Sequence, residues 1–242
     1  KNMAKTKYDQ IYAELRARIE QQEYGFQELL PSENTLVKEY GCSRNTVRRA
    51  IGRLADEGYV QSLHGKGVRI IYQPGQLSEF MLSGIESLKE AVARNQKEYR
   101  TKVVCFAELT VDQRISARTT FPVGAEIYYI QRVRYIDGEA LILDHNYFLK
   151  EVARDLTPEI AEQSIYAYLE QELGENIVTT KRKVTVERAS QIDEMYLELG
   201  DYNCLAVVSS MTYNADGVMF EFTQSRHRPD KFAFYDLAHR VK

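Results

Sequence analysis

Residues 31–71, PSENTLVKEYGCSRNTVRRAIGRLADEGYVQSLHGKGVRII, decide how this chain is read. Ser32 stands before Glu33-Asn34-Thr35-Leu36, where a hydroxyl satisfies the free N–H groups at the start of a helix. Leu36, Val37 and Tyr40 share one helical face, and Gly41 suits the left-handed residue that ends a helix. Ser43 is a second N-cap. After it Val47, Ala50, Ile51 and Leu54 recur at i, i+3, i+4, i+7 and bury one face of a second helix. The opposite face begins with Arg44, Asn45, Thr46, Arg48 and Arg49, whose donors reach phosphates and base edges when such a helix docks by its N-terminal end. Gly58 closes that helix. Tyr59–Ser62 and Val68–Ile71 read as short strands around Leu63-His64-Gly65-Lys66-Gly67. The glycines let this tip approach a groove, and His64 and Lys66 supply donors. The expectation is a helix–turn–helix with a β-hairpin wing. Two amphipathic helices alone are also a common packing unit with a solvated arginine face. The basic, glycine-tipped hairpin directly after them favours DNA.

Charge is distributed accordingly. The whole chain of 242 residues carries a net −3, but residues 1–72 hold 12 Lys/Arg against 9 Asp/Glu, a net +3, and the remainder a net −6. A basic end on an acidic body suits a DNA contact confined to that end, and a dimer would double the positive surface offered to one operator. The length allows two domains, and 44% apolar residues can build their cores. No apolar run approaches the roughly 18 residues of a membrane span, and no secretory leader is read. Three widely spaced cysteines, Cys42, Cys105 and Cys204, fit neither a disulfide framework nor a zinc site. They are expected as buried thiols in a reducing compartment, so a cytoplasmic, nucleoid-associated protein is expected.

The pattern breaks at Gln73-Pro74-Gly75-Gln76. This places a boundary after residue 72, a linker at 73–80 and a second domain at 81–242. There Thr101–Leu109, Ile127–Ile136 and Ala140–Leu149 read as strands, the last two joined at Asp137-Gly138. A helix is expected from Thr157-Pro158 to Gly174. A strand at Val184 and Val186, a short helix over Gln191–Leu199, a hairpin across Asp216-Gly217 and a final strand at Phe232–Leu237 complete an α+β domain built on an antiparallel sheet. Arg132 and Arg134, two apart on a strand, share one face and could converge on a phosphate. Glu221, Thr223 and Ser225 likewise share a face and could meet sugar hydroxyls. For the two arginines a solvated sheet face is the commoner case, and the second set could equally be surface.

Tyr8-Asp9-Gln10-Ile11-Tyr12, Leu30-Pro31-Ser32-Glu33, Ser43 through Arg48, Leu54 through Tyr59 and Gly65-Lys66-Gly67 resemble the winged-helix domain of the GntR family of bacterial transcription regulators. The resemblance implies DNA contacts by Ser43, Arg44, Asn45, Thr46 and Arg48 on the recognition helix and by His64, Gly65 and Lys66 at the wing, with Glu33 and Asn34 near the backbone. Leu82-Ser83-Gly84, Gln131 through Arg134, Asp144 through Phe148, Ser164-Ile165-Tyr166 and Glu221 through Phe234 resemble the effector domain of the HutC branch, which shares the chorismate lyase fold. That implies a small effector held by Ser83, Arg132, Arg134, Asp144, Ser164, Tyr166, Glu221 and His227, with no cofactor and no metal. Ile142-Leu143-Asp144 with Tyr147-Phe148, Ser164-Ile165-Tyr166 with Glu170–Gly174, and Thr223–Phe232 are similar to trehalose-operon repressors within the branch. This implies trehalose 6-phosphate as effector, operator DNA as partner and a homodimer. Three alternatives stay open: another effector, such as an amino-sugar phosphate; an effector that acts as corepressor, or a protein that activates; and a chorismate-lyase-like enzyme. Against the enzyme stand four scattered histidines and no metal-ligand spacing or nucleophile motif.

Overall fold

The computed structural model describes residues 6–73 and 98–234. The chain divides into two compact units.

The first unit is built on three helices: α1 (Lys7–Glu20), α2 (Glu33–Tyr40) and α3 (Arg44–Asp56). Each starts where a short polar side chain can close it. Thr6 and Asp9 form a capping box at α1, and the Ser32 and Ser43 hydroxyls accept from the Thr35 and Thr46 N–H groups, both at 3.2 Å. Gly41, at φ 55°, ends α2 in the left-handed conformation that a side chain disfavours. Ile11, Leu15 and Ile19 of α1 pack with Leu36 and with Val47, Ala50, Ile51 and Leu54 of α3 in one core. β1 (Val60–Leu63) and β2 (Gly67–Ile70) form the expected antiparallel hairpin, with Leu29 bridging to Arg69 beside it. Its tip turns on Gly65 and Gly67, at φ 69° and 105°.

The second unit is a six-stranded antiparallel sheet of order β3-β4-β5-β8-β7-β6. The strands are β3 (Tyr99–Thr110), β4 (Glu126–Ile136), β5 (Glu139–Leu149), β6 (Ile177–Arg188), β7 (Cys204–Asn214) and β8 (Met219–His227). Asp137 and Gly138 both take positive φ, 51° and 83°, as a tight β4–β5 turn requires. The short helices are α4 (Gln113–Thr119), α5 (Pro158–Glu162), α6 (Ile165–Gln171) and α7 (Gln191–Tyr196). Tyr128, Ile130 and Phe148 of the sheet pack against Ala161 of α5 and Ile165 and Leu169 of α6. Residues of opposite parity, such as Tyr147 and Leu143, enter two other clusters.

Three expectations are corrected. The single helix expected from Thr157 to Gly174 is two: Gln163 leaves the helical region (φ −94°, ψ −110°), and Ser164 caps a fresh start, its hydroxyl accepting from the Ala167 N–H at 3.3 Å. The strand expected at Phe232–Leu237 is not formed over 232–234. A 3-10 turn at Pro229–Lys231 precedes it, Pro229 lacking the N–H that a ladder uses, and residues 235–237 lie outside the described residues. The three cysteines are half-buried rather than fully buried.

Candidate nucleic-acid and effector sites

In the first unit the residues singled out from the sequence lie at two places. Ser43, Arg44, Asn45, Thr46 and Arg48 occupy the start of α3, and His64, Gly65 and Lys66 the hairpin tip. All but the half-buried Thr46 are exposed. Ser43 caps α3, and its hydroxyl lies 2.8 Å from that of Thr46. The arginines are held from α2. Arg48 Nε donates to both oxygens of Glu33 at 2.9 and 3.0 Å, Arg44 donates to Asn34 Oδ1 at 2.6 Å, and Arg44 Nε lies 3.9 Å from Glu33. The first turn of α2 thus aims the guanidinium groups of α3. Arg49, grouped with them from the sequence, instead lies over the Tyr8 ring of α1 at 3.9 Å from its centroid. One helical step of about 100° separates it from Arg48.

In the second unit, alternation along β4, β5 and β8 brings the polar residues to one face. Arg132 and Arg134 are 6% and 7% exposed and Asp144 4%, so the solvated-surface alternative does not hold for them. Arg134 Nε donates to Asp144 Oδ2 at 2.7 Å, and its NH1 group donates to Thr101 Oγ1 at 2.8 Å and to the Tyr99 hydroxyl. Asp144 also accepts from Ser225 Oγ at 2.7 Å. Arg132 Nε donates to Asn146 Oδ1 at 2.8 Å and its NH1 to the Ala161 carbonyl at 3.3 Å, while its NH2 lies 3.8 Å from Asp144. Asn146 Nδ2 donates to Thr223 Oγ1 at 2.8 Å, and that hydroxyl donates to Glu221 Oε1 at 2.7 Å. Glu221 Oε2 accepts from the Tyr166 hydroxyl at the start of α6. Glu221 and Thr223 are buried and Ser225 half-buried, so they too are not surface residues.

Electrostatics follows from this packing. Burial would raise the Asp144 pKa, but Arg134 and Arg132 outweigh it and hold it below the ordinary carboxylate value. Burial, then the like charge of Arg134, pushes Arg132 down to about 10. Burial and then Glu221 push the Tyr166 phenol well above its ordinary value. His227 is buried against the Phe232 ring, 4.9 Å between centroids, and burial lowers it to about 4. Two guanidinium groups therefore share one adjacent carboxylate on a face rich in hydroxyl and carboxylate acceptors. A phosphate is the chemical class that such a surplus of fixed donors suits.

Arg132, Arg134, Asp144, Glu221 and His227 meet on this sheet face, with Tyr166 reaching it from α6. Ser164 sits two residues before Tyr166, its hydroxyl engaged as the helix cap. Ser83 lies outside the described residues. Asn146, the bridge between Arg132 and Thr223, is a residue of this face that the sequence reading does not single out. Its parity with Asp144 was the available signal.

The comparisons with known proteins agree with this architecture. The family described as bacterial regulatory proteins, gntR family, matches residues 7–70, and the UTRA domain matches residues 94–233. The chain is 37% identical over 240 residues to the HTH-type transcriptional regulator TreR of Bacillus subtilis, covering 99% of this chain and 100% of the relative. It is 28% identical to the regulator GmuR of the same organism, over 93% of this chain and 95% of the relative. The crystal structure of YydK from Bacillus subtilis superposes with a TM-score of 0.83 at 22% identity, over 97% of this chain and all of that one, and shares the fold. The effector-binding domain of the Bacillus subtilis trehalose repressor matches 59% of this chain and 99% of its own length, at 36% identity and a TM-score of 0.54. This chain belongs to the gntR family of bacterial regulatory proteins, as a transcriptional regulator of the GntR/HutC type with a UTRA effector domain. Its homologues are regulators, not enzymes, so the enzyme alternative is set aside. No helix among the described residues is long and apolar enough to cross a membrane.

Proposed function

We propose that this chain is a sequence-specific repressor of a trehalose-utilisation operon, released from its operator by trehalose 6-phosphate. The observation that carries the effector class is the buried pair Arg132 and Arg134 sharing the single carboxylate of Asp144, two strands from the Tyr166–Glu221 pair. A phosphate answers the surplus guanidinium charge, and sugar hydroxyls pair with Glu221 and Asp144. Ser83, Ser164 and His227 belong to the same proposed site. Similarity to TreR over 99% of the chain, and to a structure described as a trehalose repressor, supports the sugar.

DNA is read by Ser43, Arg44, Asn45, Thr46 and Arg48, with His64, Gly65 and Lys66 of the wing. Two heads of a homodimer engage a palindrome. Residues 1–72 form the head, 73–80 the linker and 81–242 the effector and dimerisation domain, in the cytoplasm. Effector binding misplaces the heads through the linker near Pro74, a coupling of ~1–3 kcal/mol between sites. Gel-shift titration with trehalose 6-phosphate, comparing wild type with Arg132→Ala, tests the site. The variant keeps operator binding and loses release, whereas a variant still released at wild-type concentrations would refute the phosphate assignment.

A further inference from the structure

The polar face that carries Arg132 and Glu221 does not stop at β8. Register continues it over β7 to the edge strand β6: Thr223 opposes Ser210, which opposes Arg182. One row along, Glu221 opposes Thr212, which opposes Thr180. Side-chain contacts fix the face. The Thr180 and Thr212 hydroxyls are 3.1 Å apart, and that of Thr212 is 3.3 Å from the Tyr166 hydroxyl. Arg182 is half-buried. Burial pushes its guanidinium down, and its neighbours Tyr166 and Glu221 act against this. Its neighbours Lys181 and Lys183, of opposite parity, are exposed. Further along the same face the residues become Val184 and Val186. The row thus places Arg182 level with the acceptors of β8, turns apolar over Val184 and Val186, and ends at Arg188 opposite Cys204, away from those acceptors.

The geometry sets a length. Neighbouring strands lie roughly 4.8 Å apart, so β8 is roughly 10 Å from the Arg132 strand and β6 roughly 10 Å beyond. A single phosphorylated hexose anchored at Arg132 spans the first interval. A second ring is needed to use the second. We propose that Arg182, with Thr180, Ser210 and Thr212, forms a second hydroxyl-reading subsite, so that the site selects a phosphorylated disaccharide over a phosphorylated monosaccharide. The inference rests on the effector reading above. Arg182 is a donor only, whereas Glu221 accepts; between them they can meet both faces of a hydroxyl's chemistry.

Isothermal titration calorimetry of the full chain with trehalose 6-phosphate and with glucose 6-phosphate tests it. The readout is the ratio of the two affinities in wild type, Arg182→Gln and the nearly isosteric Thr180→Val, with thermal unfolding confirming the fold of each. Wild type prefers the two-ring ligand. Loss of a charge-assisted hydrogen bond in Arg182→Gln cuts that preference by about tenfold, and Thr180→Val cuts it less, in the same direction. If Arg182→Gln is not folded, Thr180→Val decides alone. An unchanged ratio in the folded variants, with both ligands still bound by wild type, overturns the second subsite and leaves the effector reading standing. Wild type binding neither ligand overturns both.

Discussion

Asp144→Asn removes one charge and almost no volume, and its effect follows from the packing around it. Asp144 is 4% exposed and accepts from Arg134 at 2.7 Å and from Ser225 at 2.7 Å, with Arg132 3.8 Å away. Removing one partner of a buried ion pair costs about 3–5 kcal/mol, because the remaining charge is left without its counter-ion. Asparagine retains an acceptor oxygen for Arg134, which favours the lower end, about 3 kcal/mol. For a unit of this size each kcal/mol moves the midpoint by about 3 °C, so the melting temperature of the effector unit falls by roughly 10 °C. Scanning calorimetry in a buffer free of phosphate and sulfate measures this. Titrating phosphate back stabilises the variant more than wild type, since an anion replaces the missing charge and any ligand of the native state adds stability by mass action. The pH dependence agrees in sign. The Asp144 pKa is lowered in the fold, so its contribution is present above the ordinary carboxylate value and is lost as pH falls through the folded value. A melting temperature within about 2 °C of wild type would refute the reasoning, because it would mean that the two guanidinium groups are solvated.

Other consequences can be checked alongside. His227 falls from an ordinary 6.5 to about 4 in the fold, so the unfolded chain takes up a proton first and stability declines as pH drops from 6.5 towards 4. The loss at pH 5 is about 2 kcal/mol, and His227→Phe removes this slope from a melting series between pH 7 and 5. Arg44→Ala weakens operator binding by about 1–3 kcal/mol while leaving sugar-phosphate binding unchanged; calorimetry showing the reverse pattern would sink the head assignment. Glu33→Gln loosens the hold of the Glu33 carboxylate on Arg48 Nε, at 2.9 and 3.0 Å, and removes a negative charge from the proposed DNA-facing surface. Non-specific DNA binding strengthens and the ratio of specific to non-specific affinity drops in anisotropy titrations at fixed salt; an unaltered ratio would show that Glu33 does not aim the arginine.

The parts legible in the sequence are those set by local chemistry. Ser32 and Ser43 before apolar helical runs, Gly41 after one, and Asp137-Gly138 between two β-branched stretches each stabilise one conformation within a few residues. Parity alone put Arg132 with Arg134 and Glu221 with Thr223. What could not be read depends on partners distant in the chain. Ser164 interrupts a pattern that is apolar at helical spacing on both sides, so one helix was the natural reading. Helix α4 is a single short element, capped by Asp112 accepting from the Ile115 N–H at 2.7 Å, and its seven residues carry too little periodicity to stand out. The β7–β8 register passes from Thr212–Glu221 to Tyr213–Met219, skipping Phe220, and this bulge lets Phe220 join the core beneath α6 although Glu221 faces the same side. Asn146 joins Arg132 to Thr223 only because β5 runs between β4 and β8, an order that sequence spacing does not encode. Arg49 turns to Tyr8 for the same reason: its partner lies on another helix.

In the proposed mechanism a sugar phosphate bound in the second unit controls the grip of the first on DNA. Fluorescence anisotropy of the purified full chain on a trehalose-operon palindrome, titrated with trehalose 6-phosphate at fixed salt, tests it most directly. Release by trehalose 6-phosphate, but not by free trehalose or glucosamine 6-phosphate, is the predicted result. Tight DNA binding indifferent to trehalose 6-phosphate would contradict the account.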